Sequence, residues 1–407
     1  MTIQNLIKKN LEKPLVHIWI SVFMEVIGFS IIHPYLPRYF LDMGASLPMI
    51  GFYLSINAFI GFFSGIFWGK LSDLYGRRPI LIICRVGAMA GYLVLAFSTN
   101  LAMLLASRII DGFFSRSIPV TLTILGDIVP PNDRSKEMSK IGIAWIAGGL
   151  VGPGIGAILS VFGLAGPGLF CAGLSVAAAI ITAFAIKESN PNIKGIAAVA
   201  GLEKTAMQPA FSLGLLKKYN PRVLLSQNYF AMLAHFIFNT TITLFISKRF
   251  GLSIGQIGGV LTIIGVINLF VRLLIFPGIL RRLGDKKTIF AGLSILIIAF
   301  GWLMIINMMW EFIAVSILVS FAITCGVDVM SGVLSMSVRK NEMGEMMGLN
   351  SAMESVTLIF GPIIGSYLIS LPTFAFYGLA PALSSIVALL ISFIPLRKMD
   401  NQSLEDG

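Results

Sequence analysis

A small set of ionisable side chains interrupts the long apolar stretches of this sequence. A charged side chain in hydrocarbon costs ~2.5–3.5 kcal/mol on insertion scales, so residues of this kind are functional candidates by default. The set comprises Glu25, Arg108, Asp111, Arg116, His235, Arg272, Asp328 and Glu354.

Glu25 is the leading candidate for binding a proton. A carboxyl buried without a partner keeps its proton to higher pH, which would let Glu25 load and release a proton near neutral pH. Arg108 or a cationic ligand could pair the released anion, so that proton and cation compete for one carboxylate. The alternative is a glutamate that an arginine on the third or fourth apolar stretch neutralises permanently.

Arg108 and Asp111 are three residues apart and share one helix face. They either take part in proton coupling or simply neutralise each other. Asp328 and Glu354 likewise either contact a ligand or proton, or form an internal ion pair with Arg272.

His235 and Arg116 have local alternatives. A lone histidine in a helix bundle is usually a hydrogen-bonded packing residue, although imidazole titrates close enough to neutral pH for a proton relay. Arg116 is expected to face a hydrated cavity or to pair locally.

The composition requires membrane-spanning helices to position these residues. Of the 407 residues, 56% are hydrophobic and 12% are charged, against ~45–50% and ~25% in soluble domains. A spanning helix needs ~20 apolar residues, and twelve such stretches leave no room for a large soluble domain. Barrel strands, which are ~10 residues of alternating polarity, do not fit these long runs. The predicted helices cover residues 15–40, 47–69, 79–97, 100–126, 138–162, 166–186, 222–247, 254–277, 287–306, 310–337, 346–370 and 373–395.

Charge sets the predicted orientation. Most of the 30 Lys and Arg residues fall on one side of the predicted helices, so the positive-inside rule places both termini in the cytoplasm. This topology and contact with anionic lipid explain the formal charge of +11, and nucleic acid is not an expected partner. Arg85, Arg108, Arg116 and Arg272 lie within spans.

Residues 187–221 contain several Pro and Gly residues and predict a cytoplasmic linker. The linker separates an N-terminal six-helix bundle at 1–186 from a C-terminal bundle with a short cytoplasmic tail at 222–407. We therefore predict an all-α integral membrane protein, in which twelve transmembrane helices form two pseudo-symmetric bundles.

An internal repeat supports the two bundles. The segment Gly69–Ile80 has a counterpart at Gly278–Ile289, and Gly152–Ser160 recurs as Gly361–Ile369. Both pairs have the same sequence separation, as expected for two related halves.

The segment GKLSDLYGRRP at 69–79, between the second and third spans, resembles the loop signature of the major facilitator superfamily. The pattern Gly148-x3-Gly152-Pro153-x2-Gly156 in the fifth span is similar to the signature of its drug/proton antiporters. The resemblance extends over essentially the whole chain at the level of organisation, whereas only these short motifs are specific.

Two further segments resemble proton-coupled members of that superfamily. The first span, from Glu25 through His33 and Pro34 to Pro37, is similar to that of tetracycline/proton exchangers, which carry an acidic residue at the Glu25 position. Arg108-x3-Gly112 resembles the motif of the fourth span, whose arginine is assigned to proton coupling.

The resemblance implies that the loop after the second span is a gate. Asp73 is expected to face the N-terminus of the eleventh span, where unsatisfied N–H groups carry partial positive charge, and Arg77 to pair with Asp127. These contacts would hold the cytoplasmic side shut until the halves rock. The positive-inside rule alone explains the arginines but not the glycines and the aspartate. The predicted gating residues are Gly69, Asp73, Gly76, Arg77, Arg78 and Asp127.

The fifth span is expected to pack tightly and to bend near Pro153. Small residues let helix backbones approach closely, and proline removes one backbone hydrogen bond. Ordinary small-residue packing is the alternative. The matching segment Gly361-Pro362-x2-Gly365 in the eleventh span favours a pair of pivots.

The ligand cavity is expected near the bilayer midplane, between the halves. The resemblance implies a proton-coupled antiporter that exports lipophilic, cationic or zwitterionic small molecules by alternating access. A symporter or uniporter for a metabolite, sugar or lipid is the first alternative, and a receptor or chaperone that transports nothing is the second. Polar candidates for lining the cavity are Asn57, Asn228, Tyr229, Asn239 and Asn350.

The sequence predicts neither an enzyme nor a cofactor. It has no GxxxxGK[ST] loop for ATP, and Cys84, Cys171 and Cys325 have no neighbours at metal-ligand spacing. The expected partners are a small-molecule substrate, protons and the lipid bilayer. The expected state is a monomer in the cell membrane.

Overall fold

The computed structural model describes residues 3–115, 117–190, 215, 219–339 and 342–394. Arg116, most of the predicted linker and the end of the C-terminal tail lie outside the described residues. Within the described part, every regular element is helical.

The helices follow the apolar stretches of the sequence. Up to residue 190 they are α1 (Ile3–Ile32), α2 (Leu36–Asp42), α3 (Leu47–Tyr75), α4 (Arg77–Ala96), α5 (Leu101–Phe114), α6 (Ile118–Ile128), α7 (Pro131–Leu159) and α8 (Ala165–Ala185). From residue 219 they are α9 (Tyr219–Phe250), α10 (Ile254–Phe270), α11 (Phe276–Leu303), α12 (Met309–Ile323), α13 (Val329–Met336), α14 (Met343–Ser370) and α15 (Ala375–Ile391).

Ten helical stretches of the described chain are long and apolar enough to cross a membrane. One of them, Ile254–Leu303, has 50 residues, more than twice the ~20 that one span needs. Gly284 interrupts this stretch with φ 71° and ψ 170°. The apolar helix Ala375–Ile391 is shorter, with 17 residues. The predicted all-α membrane fold is confirmed, and twelve separate spans remain a prediction.

Several spans are irregular inside their apolar part. Within the predicted fourth span, α5 ends at Phe114 and α6 begins at Ile118. Single π-helical turns, Val271–Ile275 and Thr324–Asp328, join α10 to α11 and α12 to α13. Pro153 lies inside α7 and Pro362 inside α14, where each removes one helical hydrogen bond.

The chain forms two compact units, and the predicted bundle bounds of 1–186 and 222–407 remain a prediction. The first unit consists of residues 1–45, 56–208 and 253–262, and the second of residues 46–55, 209–252 and 263–407.

The cores of the two units differ in composition. In the first unit, aliphatic residues such as Leu81 and Ile124 are almost fully buried in one cluster. In the second unit, aromatic rings stack: the centroid of Phe245 lies 4.7 Å from that of Tyr377 and 5.8 Å from that of Phe312. Each core buries large apolar side chains between the helices of its own unit.

Glycines allow close helix contacts in both units. A Cβ atom on Gly152 of α7 would lie 2.4 Å from Cβ of Ser30 in α1. A Cβ atom on Gly361 of α14 would lie 2.9 Å from the backbone of Phe236 in α9. The two segments that match in sequence therefore make the same kind of contact, each within its own unit.

Candidate functional site

Glu25 forms an ion pair with an arginine of the third span. Nη1 of Arg85 lies 3.6 Å from Oε2 of Glu25, and the two side chains are 4% and 16% exposed. The hydroxyl of Ser117 donates a hydrogen bond to the same carboxylate oxygen. Nε and Nη2 of Arg85 are buried and have no hydrogen-bond partner among the described residues.

This pair borders a cavity inside the first unit. The cavity has room for one water molecule, about 20 Å³. Polar groups of Glu25, Arg85, Tyr92, Ser115 and Ser117 contribute to its lining. A single water molecule in this cavity would have several hydrogen-bond donors and acceptors around it, inside the membrane-spanning part of the unit.

Arg108 pairs with Asp111, one turn away on α5, rather than with Glu25. The distance from Nη1 of Arg108 to Oδ2 of Asp111 is 3.2 Å, and the side chains are 4% and 5% exposed. The amide nitrogen of Asn57 donates to Oδ2 of Asp111 at 2.9 Å and to the Arg108 carbonyl at 3.1 Å. Asn57, predicted to line a cavity, is therefore bound into this network.

Gly112 explains the spacing of the Arg108-x3-Gly112 motif. A Cβ atom on Gly112 would lie 2.8 Å from the carbonyl oxygen of Asn57. Because α5 approaches α3 so closely, Ser64 also donates to the Gly112 carbonyl at 3.0 Å. The glycine thus brings Asn57 within reach of the carboxylate that pairs with Arg108.

Two serines at the break in the fourth span connect the two ion pairs. The Ser115 hydroxyl lies 2.5 Å from Oδ1 of Asp111 and also lines the cavity beside Glu25. Ser117, on the other side of the break, donates to Glu25. Asp111 and Glu25 therefore each contact a serine that lines the same water-sized space.

Arg77, the first residue of α4, contacts two carboxylates of the predicted gating loop. Its Nη1 donates to Asp73, and its Nε lies 3.4 Å from Oδ2 of Asp127. Nη1 also donates to the Ser72 hydroxyl at 3.0 Å. Around Gly69, a Cβ atom would meet no described atom within 4 Å, so close packing does not account for that glycine.

Sequence reasoning missed Glu188, which follows α8. Its carboxylate accepts hydrogen bonds from the backbone N–H groups of Arg77, at 2.8 Å, and Arg78, at 3.0 Å. It thereby satisfies two free donors at the start of α4. Gly76 has φ 102°, and a Cβ atom there would lie 2.6 Å from the same carboxylate. Arg78 in turn donates to the Ala183 carbonyl near the end of α8.

The residues after Glu188 extend these contacts. Ser189 donates to Oδ2 of Asp127 at 2.9 Å, and the Asn190 amide donates to the Asp73 carbonyl at 2.9 Å. Burial works against the charge of Glu188, but backbone N–H donors from Asn190, Arg77, Arg78 and Ser189 outweigh it and lower its pKa. The start of the predicted linker is thus part of the gating-loop network. No sequence motif marked it.

The second unit contains one ion pair inside its spans among the described residues. Nη2 of Arg272 lies 2.6 Å from Oδ2 of Asp328, which is the internal pair that the sequence left open. Glu354 is half-buried on α14.

The remaining candidates of the second unit lie in separate surroundings. Nδ2 of Asn228 donates to Oδ1 of Asn350 at 2.7 Å, and the two residues are buried. The ring of His235 packs on Phe236 with centroids 5.2 Å apart. The other two residues predicted to line the cavity are Tyr229 and Asn239. Tyr229 packs edge-on against Phe230, and Asn239 is exposed.

Comparison with known proteins gives the family. The model of the Major Facilitator Superfamily matches residues 18–309 and 224–406. The chain belongs to this superfamily. It is similar to the class H tetracycline resistance protein of Pasteurella multocida, with 26% identity over 94% of this chain and 95% of the relative. It is also similar to multidrug resistance protein 2 of Bacillus subtilis, with 24% identity over 86% of this chain and 87% of the relative.

Solved structures support the superfamily fold. A D-xylose–proton symporter superposes with a TM-score of 0.72 over 93% of this chain and 97% of the other, at 15% identity. Such a likeness shows the fold alone. As a member of the superfamily, the protein is a multi-pass membrane transporter of small molecules and not an enzyme.

The fifth-span motif that resembles the antiporter signature consists mainly of contact residues. A Cβ atom on Gly148 would lie 2.8 Å from the Val26 side chain, and one on Gly156 would lie 2.3 Å from the Ile31 carbonyl. The Tyr35 hydroxyl donates to the Pro153 carbonyl beside them. The signature therefore fixes α7 against α1, the helix that carries Glu25.

Proposed function

We propose that this transporter is a proton-coupled antiporter that exports lipophilic, cationic or zwitterionic small molecules by alternating access. The observation that carries the proposal is the Glu25–Arg85 pair, which lies within the spans and borders a cavity of water size. The similar proteins named for tetracycline and multidrug resistance support an exported, drug-like substrate.

Arg85 links proton binding at Glu25 to conformation. While the pair is closed, the guanidinium stabilises the carboxylate. Protonation of Glu25 would leave Arg85 as a buried, unpaired cation, and removing one partner of a buried pair costs ~3–5 kcal/mol. Proton uptake is therefore favoured only in a conformation that hydrates Arg85. Proton binding at Glu25 and the conformation that hydrates Arg85 therefore favour each other, which couples the two equilibria by a free energy.

The hydroxyl groups at the break in the fourth span give the proton a route. Ser117 contacts Glu25, Ser115 contacts Asp111, and both line the same cavity. A water molecule in this space completes a hydrogen-bonded chain between the two carboxylates. Arg108 pairs with Asp111 at the far end of the chain.

The gating-loop network closes the cytoplasmic side. Asp73, Arg77 and Asp127 are joined by charge, and Glu188 binds the start of α4 beside them. In the proposed cycle, Asp73 also faces the N-terminus of the eleventh span, and the contact breaks as the transporter opens. The glycines around Pro153 provide the pivot.

The proposed setting is a monomer in the cell membrane with both termini in the cytoplasm. The distribution of Lys and Arg residues along the sequence supports this orientation. A proton that enters the cell with the membrane potential releases ~2.3 kcal/mol per 100 mV, which is a sufficient source of energy for uphill export.

Everted membrane vesicles with an acidic lumen test the exchange directly. Tetracycline or ethidium is added outside, and luminal pH is followed with a trapped dye. Exchange predicts that uptake of the compound raises luminal pH. A symporter would move protons in the same direction as the compound, and a uniporter would leave luminal pH unchanged. Glu25→Gln should lose the pH response, whereas the exposed carboxylate variant Asp133→Asn should keep it.

A further inference from the structure

The second unit contains an ion pair that the proposed proton route does not use. Arg272 and Asp328 lie 2.6 Å apart, yet their side chains remain 43% and 39% exposed. The two pairs within the spans of the first unit are only 4% to 16% exposed. The charges of the second unit are therefore only partly covered by protein atoms.

The position of this pair within the spans makes its exposure informative. Arg272 lies in the stretch Ile254–Leu303 and Asp328 in the stretch Met309–Met336, both of which are long and apolar enough to cross a membrane. Charged groups within a span face water-filled paths, because contact with lipid is costly. Val327 is buried beside Asp328, so the carboxylate is the accessible part of this turn.

Both partners lie on π-helical turns. Arg272 belongs to the turn Val271–Ile275, and Asp328 ends the turn Thr324–Asp328. Such turns are rare, and they occur frequently at functional sites inside otherwise regular helices. Two separate helices each use one here, and the two turns carry the two halves of one ion pair.

We propose that Arg272 and Asp328 bind the two opposite charges of a zwitterionic substrate. This inference rests on the proposed export function and names the charge class of its substrate. A carboxylate on the ligand accepts hydrogen bonds from the Arg272 guanidinium, which matches carboxylates in a fork geometry. An ammonium group on the same ligand donates to Asp328. Asn268, one turn before Arg272, has a buried Oδ1 without a hydrogen-bond partner in the described chain and offers one more acceptor.

Charge balance explains why the site selects zwitterions. A zwitterion replaces the contact between the two side chains with two contacts of its own, so neither protein charge is left alone. A simple cation leaves Arg272 unpaired, and a simple anion leaves Asp328 unpaired. The zwitterion therefore makes two charge-assisted contacts at once, whereas a singly charged ligand makes one.

Three probes built on one fluorophore test this selection. Nε-dansyl-lysine is a zwitterion, dansylcadaverine is the same molecule without the carboxylate, and 6-(dansylamino)hexanoic acid is the same molecule without the amine. Binding of each to the purified full-length protein in detergent is measured by dansyl fluorescence. We expect the zwitterion to bind at least ~10-fold more tightly than either singly charged probe.

Variants test whether Arg272 and Asp328 cause the preference for the zwitterionic probe. Arg272→Gln and Asp328→Asn should each abolish the preference for the zwitterion, and the exchange of both charges, R272D with D328R, should restore it in part. The matched control is the Arg38–Asp42 pair, at 2.9 Å and with side chains 30% and 45% exposed. Arg38→Gln and Asp42→Asn should leave the preference unchanged. Thermal melting of each variant shows that it is folded.

Equal affinity for the three probes, absence of zwitterion binding, or a preference that survives Arg272→Gln would overturn the inference. The proposed antiport is tested separately by luminal pH. Proton-driven export without a zwitterion preference would remove this site and leave the antiporter. A zwitterion preference without proton release would support the site and refute the antiporter.

Discussion

In the first unit, Glu25–Arg85 and Arg108–Asp111 are enclosed by helices that glycines hold in close contact. In the second unit, Arg272–Asp328 lies open on two irregular turns, with an ion-pair distance of 2.6 Å. Enclosed charges respond strongly to loss of a partner, because bulk water does not reach them. Open charges exchange partners at little cost. The difference suits proton handling in the first unit and ligand binding in the second.

The largest expected effect separates the two kinds of pair by stability. Arg85→Ala should lower the free energy of unfolding by ~3–5 kcal/mol, because it removes one partner of a buried ion pair. Arg272→Ala should lower it by only ~0–1 kcal/mol, because Asp328 is accessible. Chemical denaturation in detergent measures both values. Equal losses would remove the distinction between the two units.

A double variant identifies the cause of the stability loss in Arg85→Ala. Glu25→Gln combined with Arg85→Ala should recover part of the loss, since both charges of the buried pair are then removed together. If the double variant is as unstable as Arg85→Ala alone, the loss reflects packing of the arginine side chain rather than its charge.

The next effect concerns the helix contacts that enclose Glu25. Gly152→Ala should lower the free energy of unfolding by ~1–3 kcal/mol, because the new methyl group collides with Ser30. Gly149→Ala is the matched control on the same helix, since a Cβ atom there meets no described atom within 4 Å. Gly361→Ala tests the corresponding contact of the second unit. If Gly149→Ala and Gly152→Ala behave alike, close packing is not the reason for the glycine pattern.

The smallest expected effect lies at Glu188. Its pKa is lowered in the folded protein, so its contribution to stability is present above the unfolded pKa of ~4.3 and is lost as pH falls through the folded value. Glu188→Gln should lower the free energy of unfolding at pH 7 by ~0.5–1 kcal/mol, the low end for helix caps because the residue is partly exposed.

Thermal melting between pH 7 and pH 3 checks this prediction. The wild-type and Glu188→Gln curves should differ at pH 7 and converge in acid. A constant difference at every pH would mean that the carboxylate charge does not hold the start of α4.

Hydropathy and motif spacing were sufficient for the helical membrane fold. Long apolar stretches have one stable arrangement in a bilayer, because a helix satisfies all its own backbone groups. The contact of Arg77 with Asp127 and the close packing around Gly152 also follow from short motifs, whose residues occupy fixed positions on known helices. Twelve apolar stretches were expected, and the short helix Ala375–Ile391 and the break at Gly284 leave that count a prediction.

The partner of Glu25 could not be predicted in the same way. Arg85 and Arg108 both lie within spans, and apolar residues surround the helices on every side, so no sequence pattern marks which face turns toward Glu25. Glu188 carries no motif, because its function depends on a backbone N-terminus that comes close only after folding. The π-helical turns at Arg272 and Asp328 likewise depend on packing rather than on a residue signature.

Proton release on ligand binding tests the central claim most directly. Ethidium, whose charge does not change with pH, is added to the purified protein in weakly buffered detergent, and binding and pH are followed together. The wild-type protein should release protons as ethidium binds, and Glu25→Gln should bind ethidium without releasing any. The same proton release from Glu25→Gln as from the wild type would contradict the assignment of Glu25.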